Sequence, residues 1–97
     1  MKRFIGRFGT YITIDGEDVT FNSLPANKES CSIDDIKSVS IWEAAGRTPG
    51  RMTILTGSTR HNMEFESAQN DDFVECYRLL IAKIDPYMAR TYRSPRK

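Results

Sequence analysis

Between Thr10 and Glu66 the apolar residues recur at every second position, the period of strands with one buried face. In TYITIDGEDVTFNS, Ile12 and Ile14 alternate with Tyr11 and Thr13, and Val19 and Phe21 alternate with Thr20 and Asn22, across a turn at Asp15–Gly16. That spacing predicts a hairpin. Ahead of it, Phe4, Ile5 and Phe8 around Gly6 and Gly9 predict a short, bent first strand. Leu24 to Glu29 reads as a loop on its Pro25, Asn27 and Lys28, and a short strand follows with Cys31 and Ile33 facing one way until Asp34 and Asp35 break it. In IKSVSIWEA, Val39 and Ile41 take one face and Ser38, Ser40 and Trp42 the other, so Trp42 is expected to point away from the core. AGRTPGR turns the chain, Met52, Ile54 and Thr56 alternate with Thr53 and Leu55, Gly57–Ser58 turns it again, and His61, Met63 and Phe65 share the inner face of RHNMEFE.

At Phe65 the period changes. In FESAQNDDFVECYRLLIAKIDP, Phe73, Tyr77, Leu80 and Ile84, with Val74 and Ile81 beside them, fall on one stripe of a helix. Asn70 is the expected N-cap, Asp71 and Asp72 suit the first turn, and Lys83 and Pro86 mark the end. A single helix cannot bury its own stripe, so the strands must receive it. The expected fold is mainly β: about seven short antiparallel strands in a bent sheet or partly open barrel, with one C-terminal helix. Residues 1–86 form one domain on this reading, and 87–97 an irregular basic tail, since PYMARTYRSPRK carries two prolines and excess charge.

Composition adds little beyond an ordinary globular domain: 97 residues, 39% apolar and 28% charged. No apolar run approaches the roughly 20 residues of a membrane span and the first residues lack a signal-peptide core, so a cytoplasmic protein is expected. Cys31 and Cys76, with a lone histidine and no CxxC, suit buried thiols rather than a disulfide framework or zinc site. Charge is more informative than its total of +1. Residues 1–14 carry three basic and no acidic residues and residues 86–97 four and none, which leaves 7 basic and 13 acidic residues between them. An acidic body with basic ends fits a polyanion bound through the ends, ends folded onto the body, or solvated ends.

The segments GTYITIDGEDVTF, SIDDIKSVSIWEA, PGRMTILT and MEFESAQNDDFVECYRLLIAKI, covering roughly residues 9–84, resemble the bacterial pleckstrin-homology-like domains, in particular an actinobacterial family of unknown function. The resemblance implies a seven-stranded barrel-like fold with a C-terminal helix, a binding or scaffolding role often accompanied by self-association, and no catalytic residues. The basic loop with which some eukaryotic relatives hold inositol phosphates has no counterpart, because the turn here reads Asp15-Gly16-Glu17-Asp18.

The residues offer no nucleophile–base constellation, phosphate-cradling loop or cofactor motif, so no enzyme and no cofactor is expected. His61 reads as a structural histidine on the inner face, and the pairs Asp34/Asp35 and Asp71/Asp72 as strand-end and helix-start residues. Two binding features remain. Trp42, with Leu55 in the same orientation, forms a candidate protein interface, weighed against a tryptophan covered by a loop or chain end. Arg47, Arg51 and Arg60 beside two turns are candidates to bind an anion, although scattered solvated charge is the commoner explanation of such a set, and Arg90, Arg93, Arg96 and Lys97 in the tail are candidates too, against solvated ends. The first functional reading is a non-catalytic module that binds a protein, a further copy of itself included. The second is a polyanion binder that uses the basic ends on nucleic acid or an anionic membrane surface.

Overall fold

A computed structural model of the chain describes residues 1–23, 27–57, 59–84 and 89–93; Leu24, Pro25, Ser58, Asp85, Pro86, Arg96 and Lys97, which the sequence reading used, lie outside them. The strands are β1 (Lys2–Ile5), β2 (Tyr11–Asp15), β3 (Asp18–Ser23), β4 (Asn27–Ser32), β5 (Ser38–Trp42), β6 (Gly50–Leu55), β7 (Arg60–Phe65) and β8 (Ala89–Arg93), with helix α1 (Asn70–Lys83) between the last two. They form two four-stranded sheets: β1-β2-β3-β4, antiparallel throughout, and β7-β6-β5-β8, in which β8 runs parallel to β5. No strand pairing closes the two sheets into a barrel among the described residues.

The alternation read from the sequence is the burial pattern found in β3, β5, β6 and β7, while in β2 Thr13 is buried as well as Ile12 and Ile14. Ile12, Ile14, Val19 and Phe21 from the first sheet join Val39, Ile41, Met52, Ile54, Met63 and Phe65 from the second in one buried cluster. Helix α1 adds Phe73, Cys76, Tyr77 and Leu80, packing against β5 and β1, while Val74 and Ile81 flank the cluster half-buried. Phe65 and Phe73 stack with ring centroids 4.5 Å apart, which ties the helix's first turn to the second sheet. Gly50 exists for that stack, since a Cβ there would lie 2.4 Å from the Phe65 ring and 2.7 Å from the Ala44 nitrogen.

Several local expectations are corrected. Residues 89–93 pair one to one with the five residues of β5, Ser38 opposite Ala89 through Trp42 opposite Arg93, and are no irregular tail. The main-chain ladder and the Tyr92 ring, edge-on to Tyr77 at 5.5 Å, hold them, and neither leaves an apolar pattern in the sequence. The strand count among the described residues is therefore eight, one of them parallel to its neighbour. Strand β4 begins at Asn27, inside the stretch read as a loop, because it is an edge strand built of polar residues. Phe8 is 67% exposed at φ +60°, held outside by a tight turn in which Gly6 N–H donates to the Thr10 carbonyl and Thr10 N–H to that of Arg7. Asn70 does not cap the helix. Its side-chain oxygen accepts from the Ala44 N–H at 2.9 Å and its amide donates to Glu43 at 3.0 Å, which fixes the segment after β5 against the helix start.

Candidate functional site

Strand pairing builds the site on the outer face of the second sheet. In β5 the side chains of Ser38, Ser40 and Trp42 point outward, and the register sets each between a residue of β6 and one of β8. Two cross-strand rows result: Arg51–Trp42–Arg93 at the end of β5 and Thr53–Ser40–Thr91 one step back. Trp42 is 57% exposed, the Arg93 guanidinium lies 5.6 Å from its ring centroid, and Arg51 reaches Glu64 at 3.8 Å. A groove of about 250 Å³ runs between the rows, and a second of about 230 Å³ continues it past Trp42 toward Thr48 and Pro49. A planar ring flanked by two guanidinium groups over a floor of hydroxyls can stack on a flat group, pair with carboxylate or phosphate oxygens and donate hydrogen bonds.

The structure distributes the other sequence candidates differently. Leu55 shares the outer face with Trp42 but sits opposite Ser38, four residues or about 13 Å along the strands, so the two do not form one patch. Arg60 pairs with Leu55 at that far end, and Arg47 lies in the turn after β5 beside a separate cavity that it shares with Arg7. The three arginines do not converge. Of the tail candidates, Arg93 reaches the site, Arg90 lies on the opposite face of β8, and Arg96 and Lys97 fall outside the described residues.

One buried constellation escaped the sequence reading. His61 Nε2–H donates to the Glu29 carboxylate, and its Nδ1 shares a hydrogen bond of 2.8 Å with the Ser23 hydroxyl. The order carboxylate, imidazole, hydroxyl is that of a nucleophilic triad. Ser23 and His61 are 2% and 0% exposed, however, and Phe21 stacks on the imidazole at 4.3 Å, so a substrate has no approach to the hydroxyl. The contact instead bolts β3 and β4 of one sheet to β7 of the other, with His61 on the inner face where its parity set it. Glu29 gave no signal, since it lies in the polar edge strand.

Cys76 is buried and Cys31 half-buried, each as a free thiol. Burial, with Asp35 and Glu29 adding negative charge, pushes the Cys31 thiol up to about 11, and burial pushes Cys76 up as well. Neither is primed as a nucleophile. Among the described residues no group of three or more histidine, cysteine or acidic side chains gathers to hold a metal ion, and no helix is long and apolar enough to cross a membrane. No protein-family model, curated protein or solved structure matches this chain.

Proposed function

We propose that the chain is a non-catalytic interaction module of pleckstrin-homology-like build, working in the cytoplasm, that takes a protein partner, a further copy of itself included, on the outer face of its second sheet. The observation that carries this reading is the Arg51–Trp42–Arg93 row. A tryptophan more than half exposed between two arginines combines the residue types that contribute most to protein contacts, and it sits on a rigid strand rather than a loop. The pleckstrin-homology-like assignment draws support from the sequential pairing of β1 to β4, the second antiparallel set β5 to β7 and the helix that follows. Two free thiols agree with a reducing compartment.

A polyanion is the second reading, and Arg93 beside Trp42 favours it, because stacking plus cationic flanks also suits single-stranded nucleic acid. Salt alone does not separate the two, since a protein contact flanked by guanidinium groups is itself salt-sensitive. Trp42→Ser does. The variant keeps its far-UV dichroism while losing association and partner capture under the protein reading, as read by light scattering on a gel-filtration column. A folded variant with unchanged mass and unchanged capture sinks it.

A further inference from the structure

We infer that the occupant of the Arg51–Trp42–Arg93 face is the acidic turn between β2 and β3 of a second copy, so that copies associate head to tail; the inference rests on the interaction-module reading above. The turn is built as a plug. Asp15 and Asp18 stand directly opposite each other in the β2–β3 register, an arrangement in which like charges repel, and Gly16 and Glu17 form the two-residue loop between them. Ile33 N–H donates to the Glu17 carbonyl at 2.8 Å and so brings Asp34 and Asp35 up beside the turn. Asp15, Glu17, Asp18 and Asp34 make no ion pair among the described residues. Two guanidinium groups relieve that repulsion where solvent only dilutes it.

Shape agrees with charge. Gly16 has φ +62° and nothing within 4 Å of where a Cβ would stand, so the loop backbone is bare and free to lie against an indole face. Ser40 and Thr91 on the groove floor offer hydroxyls to its peptide groups, and the Thr53 hydroxyl, which donates to Asn62 at 2.8 Å, keeps its acceptor capacity. The two surfaces cannot meet within one molecule. The turn is joined to the segment leading into Ser38 at the start of β5, whereas Trp42 ends that strand. A contact between different surfaces on successive copies does not close at two, and growth continues with concentration unless the rotation closes a ring.

Two variants and their mixture test this. Arg51→Gln/Arg93→Gln disables the receiving face, and Asp15→Asn/Glu17→Gln/Asp18→Asn disables the turn; all five positions are exposed. Sedimentation should show the parent growing in mass with concentration and each variant at least tenfold weaker in association, with unchanged far-UV dichroism. The equimolar mixture should form a capped pair of twice the 11.1 kDa chain mass and nothing larger, because one intact turn meets one intact face. That rescue also shows both variants to be folded. Variants that associate like the parent, or a mixture that stays monomeric, overturn the inference. A parent that is monomeric throughout overturns it too, and the emission of Trp42, the lone tryptophan, then separates the remaining cases. A shift with an acidic peptide leaves the face open to another protein, whereas a shift with a single-stranded oligonucleotide alone removes the protein reading as well.

Discussion

Removing residues 88–97 tests whether β8 belongs to the domain. An irregular tail would leave the melting temperature unchanged, but the structure gives this segment a registered place beside β5. Ordering five backbone residues costs about 5–10 kcal/mol. The parallel ladder returns roughly 1 kcal/mol per hydrogen bond, which matches the lower end of that cost. Side chains supply the margin: the Tyr77–Tyr92 edge contact contributes about 1 kcal/mol. Arg93 over Trp42 adds about 0.5 kcal/mol at this exposed site. Partial burial of the Tyr92 ring, which remains 43% exposed, adds about 1 kcal/mol. A net loss of about 2 kcal/mol corresponds to a fall of about 8–16 °C for a domain of this size. Thermal melts followed by far-UV dichroism read it directly. A fall of under about 2 °C would show that β8 is not docked in solution, and outright unfolding would show that the ledger omits a larger contact.

Two further outcomes follow from the core and the thiols. Leu80→Ala empties a fully buried position where the helix meets the sheets and should cost on the order of 2–5 kcal/mol in urea unfolding; an effect under about 0.5 kcal/mol would place the stripe at the surface. Because the Cys31 thiol ionises near 11 instead of 9.0, its thiolate is the minor form up to that pH, and alkylation by iodoacetamide should be slow at pH 8 and keep accelerating up to about pH 11. A labelling rate that levels off near pH 9 would contradict the burial and the carboxylate neighbours assigned to it.

The elements legible in the sequence are those whose burial writes a period. Strands β3, β5, β6 and β7 alternate cleanly because one face of each meets the core, β2 alternates in sequence although Thr13 is buried along with Ile12 and Ile14, and the α1 stripe repeats every 3.6 residues for the same reason as the strands. The outward direction of Trp42 followed from that parity alone. Strands β4 and β8 are edges that bury few side chains, so their main-chain ladders form with no hydrophobic pattern to announce them. The site needed more than parity. Arg93 is 51 residues from Trp42 in the chain and reaches it only through the β5–β8 register, while the β6–β7 hairpin register sends Arg60 to the opposite end from Arg51. Asn70 shows a different limit: its side chain had two competing uses, and the Ala44 N–H, invisible in sequence, outweighed the helix cap.

The most direct test of the central claim is the solvent access of Trp42 itself, since it is the lone tryptophan and its emission reports on that face without labels. Acrylamide quenching measured from dilute to concentrated protein should start at the level of an indole more than half exposed and fall several-fold as copies assemble, with Arg51→Gln/Arg93→Gln staying at the dilute value throughout. Quenching that stays constant while the sedimenting mass rises would contradict the account, because the copies would then be meeting on some other surface.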